Sequence, residues 1–273
     1  MHLVAIGGSD AGISAALRAR ELDPTSDVTV VVADAYPNFS ICGIPYYISG
    51  EVTHWRNLAH RTYADLEATG MRLRLDTTAT TIDVDRRRIA VRDPRGLEDW
   101  IDYDELVVGT GALPVRPPIT GLDQLRPADG VHILHSMGDT FALTHTIDTL
   151  QPSTALIVGA GYVGLEMAEG LTARGLQVTQ VEMLPEVLST VDPELGGLVH
   201  AELARHGVEV HTRSTVTAIA RTPDGPARLH VVGTDPDNEP RSWDVDLVLV
   251  VVGVRPDTNL LVAAGAKTGP RGA

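Results

Sequence analysis

Thr154-Ala155-Leu156-Ile157-Val158-Gly159-Ala160-Gly161-Tyr162-Val163-Gly164 is the stretch on which the fold turns. Five residues suited to a buried strand run directly into glycines spaced G-x-G-x-x-G. Residues 165–174 read as the helix that follows, with Gly175 placed to end it, and residues 178–181 as the next strand. In such a turn the first glycine makes the bend, the second lets backbone approach a pyrophosphate, and the third lets helix pack on strand. Free amides and the dipole at the helix N-terminus favour the anion. Glu182 ends the next strand, about twenty residues on, where a carboxylate accepts a ribose 2′-hydroxyl and repels a 2′-phosphate. No Arg follows in Met183-Leu184-Pro185. The residues read as a dinucleotide site that prefers NADH to NADPH.

The same arrangement opens the chain. Residues 2–6 read as a strand, Gly7-Gly8-Ser9-Asp10-Ala11-Gly12 as a tight loop, and residues 13–22 as an Ala-rich helix. Asp23-Pro24 stops that helix, because proline cannot continue it. Residues 28–32 complete a second strand–helix–strand unit. Gly7 matches Gly159 and Gly12 matches Gly164 at the same offset, so the chain carries an internal repeat of two nucleotide-binding folds. The first copy is less regular. Ser9 stands where a middle glycine is usual, and the acid expected at Val32 is displaced to Asp34, the candidate for its role. Thr110-Gly111-Ala112 follows another buried-type strand, and its small residues allow a cofactor close to the backbone.

Between and after these units, residues 63–69 and 137–150 read as helices, and 72–75, 78–84, 89–92 and 100–108 as strands. Residues 114–130, dense in proline and glycine, read as a domain connection. Residues 193–206 suit a helix and 208–212 a strand. Residues 229–232 and 242–245 suit a hairpin, and 247–252 a buried strand.

Phe39-Ser40-Ile41-Cys42-Gly43-Ile44-Pro45-Tyr46-Tyr47 holds the only cysteine, which excludes an intramolecular disulfide. A lone cysteine is most often a small core hydrophobe. Its neighbours argue otherwise. Pro45 suits the first turn of a helix, which puts Cys42 just ahead of a helix N-terminus. A thiol there is a candidate nucleophile. Gly43 leaves room for a flat ring near the sulfur.

The 273 residues suffice for one large or two ordinary domains, and a composition rich in Val, Ala, Leu and Gly suits buried parallel strands alternating with helices. A net charge of -14 and the lack of a basic stripe argue against nucleic-acid partners. Arg86-Arg87-Arg88 reads as a solvated turn. The longest apolar run, residues 247–254, is too short to cross a bilayer, and no charged-then-apolar leader precedes the first strand. The expectation is a soluble cytoplasmic protein with no membrane partner. His132 with His135, and His200 with His206, lack the acids or cysteines that complete a ligand set, so no metal is expected. No Ser-His-Asp arrangement is readable, and Asp10 reads as part of a phosphate turn.

Residues 7–12, 39–47, 106–114, 154–166 and 246–257 together resemble the pyridine nucleotide-disulfide oxidoreductases. Within that family they resemble the single-cysteine branch of coenzyme A-disulfide reductase, NADH oxidase and NADH peroxidase. The resemblance implies an α/β fold of two Rossmann-like dinucleotide-binding domains, the second inserted into the first. Residues 1–115 would form the first part of an FAD-binding domain and 116–245 an NAD(H)-binding domain. Residues 246–273 would be an incomplete return to the first. It places FAD on Gly7, Gly8, Ser9, Gly12, Asp34 and Ser40, with Thr110, Gly111 and Ala112 beside it. It places NADH on Gly159, Gly161, Tyr162, Val163, Gly164 and Glu182, with Glu166 and Gly253 near the nicotinamide. The implied reaction passes a hydride from NADH through FAD to the oxidised form of Cys42. That form is a mixed disulfide with coenzyme A, or a sulfenic acid where peroxide or oxygen is the acceptor.

Three departures bear on this. Oxidases and peroxidases of the branch carry a His where Asp10 stands, which favours the disulfide reductase. The acid of the first unit is displaced to Asp34. Relatives also continue into a Gly-Asp strand and a dimerisation domain that makes them homodimers, so the chain reads as C-terminally truncated. Two further readings stay open: a nucleotide-binding remnant without turnover, and an NADH reductase for a small iron-sulfur protein. The Ala33-Asp34 strand end resembles the latter branch, but the surroundings of Cys42 do not.

Overall fold

Uninterrupted apolar runs become the central strands of two parallel sheets. In the computed structural model, which describes residues 1–222 and 229–272, His2–Ile6 and Thr154–Val158 are covered on both faces. The chain divides into two units. One comprises Met1–Ser40, Trp55–Leu113 and Arg255–Ala273, and the other Ile41–His54 and Pro114–Val254.

In the first unit the parallel sheet runs in the order Arg72–Arg74, Asp27–Val31, His2–Ile6, Glu105–Val108. One face packs Leu3, Ala5, Val28 and Val30 against Ile13 and Ala16 of the helix Asp10–Leu22. The other packs Val4, Ile6 and Val31 against Ile82, Ile89, Val91 and Ile101. Those four belong to an antiparallel sheet of Thr78–Asp83, Arg88–Arg92 and Glu98–Asp102.

In the second unit five parallel strands run in the order Glu209–His211, Gln177–Val181, Thr154–Val158, Leu247–Val250, Val131–Ile133. An antiparallel sheet of Thr215–Arg221, Leu229–Thr234 and Pro240–Val245 joins Val216, Ile219, Leu229, Val231 and Val245 to its core. The two strand–helix–strand units repeat closely. His2–Ile6 pairs in parallel with Asp27–Val31, and Thr154–Val158 with Gln177–Val181, residue for residue. Gly7 N–H reaches the Val31 carbonyl and Gly159 N–H the Val181 carbonyl, both at 2.8 Å.

Three sequence expectations are corrected. Residues 100–108 do not form one strand. Glu98–Asp102 pairs antiparallel with Arg88–Arg92, and Glu105–Val108 pairs parallel with His2–Ile6. Between them the Tyr103 N–H bonds to Arg87 and the Asp104 N–H to His2, so the backbone changes sheets within two residues. The hairpin at 229–245 gains a third strand, Thr215–Arg221, a segment given no element from its sequence. The boundaries also move. Leu247–Val250, assigned to the return segment, pairs with both Thr154–Val158 and Val131–Ile133 inside the second unit. Residues 41–54 group with that unit as well, because the helix Ile44–Ser49 packs on Tyr162–Ala173. A Cβ on Gly170 would stand only 3.4 Å from the Pro45 carbonyl oxygen.

Among the described residues no helix is long and apolar enough to cross a membrane. Leu156, fully buried at the centre of the second sheet, offers a direct measure of that core. Leu156→Ala is expected to lower unfolding free energy by about 2–5 kcal/mol, read as a lower urea midpoint at unchanged slope.

Candidate functional site

Each glycine loop is shaped by backbone crowding. Gly7 has φ +115°, and a Cβ on Gly12 would lie 2.1 Å from the Gly7 carbonyl oxygen. At the second loop Gly159 has φ +107°, and a Cβ on Gly164 would lie 2.2 Å from the Gly159 oxygen. Any other residue at Gly12 or Gly164 would push the helix off its strand. The helix Asp10–Leu22 starts from Ser9 and the helix Tyr162–Ala173 from Gly161, and neither has a side-chain cap. Their first amides therefore remain for an anion.

Around the first loop, the Asn38 N–H donates to the Gly8 carbonyl at 2.7 Å, and a Cβ on Gly8 would meet the Val32 side chain. Asp10 begins the helix, and its carboxylate takes a long hydrogen bond from the Asn38 amide at 3.4 Å. Asp34 accepts the Tyr36 N–H at 2.8 Å. Desolvation by the surrounding protein pushes its carboxyl up, the Tyr36 bond pulls it down, and the Asp76 charge adds to the rise. Ser40 is tied by its N–H to the Leu58 carbonyl, and Phe39 stacks on Trp55 with ring centres 5.6 Å apart. The Thr110 hydroxyl donates to the Asp257 carbonyl at 2.5 Å, and the Asp257 N–H returns to Gly111 O. Ala112 follows at the start of a short strand.

The second loop borders a cleft of about 660 Å³. Gly159, Gly161, Tyr162, Val163, Glu182 and Gly253 all line it, so the structure gathers six sequence-derived candidates at one place. Glu182 Oε2 accepts the Ala160 N–H at 2.7 Å and Oε1 the Leu184 N–H at 2.8 Å, which fixes its carboxylate beside the loop. Glu166 lies one turn along the helix, outside that lining. Partial burial, then the charge of Glu169, raises its carboxyl above the ordinary range. Sequence reasoning missed the 114–119 connection and residues 214–216, which also line the cleft. It missed Gln180 too, whose amide donates to Gly159 O at 3.0 Å. A polar residue inside an apolar strand was the available signal for Gln180.

Cys42 is exposed, in a single turn Ile41–Gly43 directly ahead of the helix Ile44–Ser49, whose first turn contains Pro45. Among the described residues no group of three His, Cys, Asp or Glu side chains is arranged to hold a metal ion. His200 pairs with Glu186 at 2.9 Å and His206 with Glu202 at 3.0 Å.

His132 is buried in the strand Val131–Ile133, and burial lowers its pKa to about 4 against a smaller opposing effect of Asp139. The unfolded chain binds a proton there below about pH 6.5 that the folded chain refuses until about pH 4. Stability from this group is therefore intact above pH 6.5 and declines as pH falls through that window, by on the order of 3 kcal/mol. Urea unfolding across pH 4–7 is expected to show this decline in the native chain. His132→Phe is expected to remove that portion of it.

The family model described as pyridine nucleotide-disulphide oxidoreductase matches residues 1–273. An NADH oxidase of Methanocaldococcus jannaschii is 33% identical over 272 residues, covering 98% of this chain and 58% of that protein. A CoA-dependent NAD(P)H sulfur oxidoreductase of Pyrococcus abyssi is 31% identical, over 99% of this chain and 57% of its own. The solved structure of an NAD-dependent persulfide reductase from A. fulgidus superposes with a TM-score of 0.90 at 34% identity, covering all of this chain and 49% of that one. The chain thus spans about half the length of these relatives.

Proposed function

The chain belongs to the pyridine nucleotide-disulphide oxidoreductase family, and on that premise we propose that it carries electrons from NADH, by way of FAD, to Cys42 and a small sulfur acceptor. The observation that carries this reading is the Glu182 carboxylate, held on the amide of the second glycine loop at the edge of a cleft. There it accepts a ribose hydroxyl and opposes the extra phosphate of NADPH. Gly161 and the uncapped helix start at Tyr162 receive the pyrophosphate.

FAD fits the first unit on the same grounds. Gly7, Gly8 and Gly12 leave no room for a Cβ against the loop's own neighbours, which holds the turn tight, and Ser9 leaves the helix amides without a side-chain cap. Thr110 and Gly111 are pinned to Asp257, which keeps their backbone rigid beside it. When bound, FAD supplies the two-electron carrier between nicotinamide and sulfur.

Cys42 is exposed and is the only cysteine, so its disulfide partner is an external thiol such as coenzyme A. Two electrons and a proton split that mixed disulfide into the Cys42 thiolate and a free thiol. The relatives from Pyrococcus abyssi and A. fulgidus, named for sulfur and persulfide reduction, support this acceptor class. So does Asp10, in the place where the resemblance puts a His in oxidases. The M. jannaschii relative, named an NADH oxidase, favours a second reading with oxygen or peroxide as acceptor and a Cys42 sulfenic acid. A cytoplasmic location, where NADH is regenerated, goes with either.

The test compares acceptors and one variant. Purified protein is expected to be yellow, to oxidise NADH faster than NADPH, and to reduce coenzyme A disulfide or polysulfide faster than oxygen or peroxide. In Cys42→Ser, flavin bleaching by NADH is expected to persist while sulfur turnover falls by about two orders of magnitude or more, because a serine hydroxyl is a weak nucleophile. Full sulfur turnover in that variant would overturn the role of Cys42. Faster oxygen or peroxide consumption would favour the second reading. A colourless protein that still binds NADH would mark a nucleotide-binding remnant.

A further inference from the structure

Gln180 sits in the strand Gln177–Val181 with no solvent exposure. Its Nε2 donates to the Gly159 carbonyl at 3.0 Å, while its Oε1 is buried and has no partner among the described residues. The orientation of the amide follows from that contact. Turned over, Oε1 would face the Gly159 oxygen, one acceptor against another. Leucine or methionine would remove that unsatisfied acceptor but leave the buried Gly159 carbonyl without this donor. The exchange is close to neutral for stability, so the reason for the glutamine lies in what its amide holds.

The Gly159–Ala160 peptide is trans, so its C=O and N–H point in opposite directions. Gln180 holds the C=O. The opposite edge presents the Ala160 N–H, which donates to Glu182 Oε2 at 2.7 Å. The Gly159 N–H is fixed separately by the Val181 carbonyl at 2.8 Å. Gln180 Nε2 also lies 3.0 Å from where a Cβ on Gly164 would stand, so the amide is wedged beneath the first and last glycines of the loop. The buried amide, the peptide plane and the Glu182 carboxylate form one chain of contacts.

We infer that Gln180 is a positioning residue for the dinucleotide site. Acting through the Gly159–Ala160 peptide, it sets how Glu182 is presented, and with it the grip on the ribose and the preference for NADH over NADPH. This rests on the proposed use of the cleft for a nicotinamide dinucleotide.

The test titrates NADH and NADPH by fluorescence against the wild-type chain, Gln180→Met, Glu182→Ala and the double variant, with melting temperatures measured without nucleotide. Gln180→Met is expected to melt close to the wild type, yet to bind NADH about fivefold or more weakly, with a reduced preference over NADPH. In the Glu182→Ala background the same change is expected to have less than about a twofold effect, since both act on one contact chain. A lower melting temperature with unchanged NADH affinity and preference would mark a merely structural glutamine and overturn the inference. Fully additive losses in the double variant would overturn it as well. Gln180→Leu supplies the same comparison if Gln180→Met does not fold, and failure of both to fold contradicts the expected stability. A wild-type chain with no NADH affinity overturns the dinucleotide reading itself, an outcome distinct from any difference among variants.

Discussion

Backbone touches backbone between the first and last glycine of each loop, and there is no room for a side chain. A Cβ on Gly12 or Gly164 would stand just over 2 Å from a carbonyl oxygen of its own loop. That contact lets a helix start within hydrogen-bonding reach of its strand and turns its free amides outward. The parallel pairing of each central strand with the strand after the helix follows from it, and so does the placement of every candidate ligand group nearby. The two loops satisfy the same constraint with different middle residues, Ser9 in one and Gly161 in the other, because only the outer glycines face backbone.

Around this shared frame the units differ in how charge is held. In the second, a carboxylate lies directly on the loop: Glu182 binds the Ala160 and Leu184 amides and so stands in a defined position. In the first, Asp34 bonds the Tyr36 amide beyond the end of its strand, and Asp10 takes a long contact from Asn38. The candidate site of the second unit is therefore the more completely built by local bonds.

The two strand–loop–helix motifs were legible because their signal is local. Spaced glycines, an apolar run before them and an acid after the second strand lie within about thirty residues. Thr154–Val158 and Met137–Leu150 have the ends that their residues imply. What escaped was non-local. Residues 100–108 read like one strand, yet Tyr103 and Asp104 bond to different partners and carry the chain from one sheet to another. Leu247–Val250 looks equally suited to either unit until its pairing with Thr154–Val158 is known.

The sequence by itself determined the two glycine loops, the acids that follow them, the single cysteine and the family they resemble, because each depends on residue type at short spacing. Tertiary structure decided where the units divide, which connecting residues line the cleft, and that a buried glutamine supports the second loop. Those depend on which distant segments meet. Gln180 is adjacent to Val181 in sequence, but its partner is a carbonyl twenty-one residues away, and no local pattern records which backbone group a buried side chain will reach.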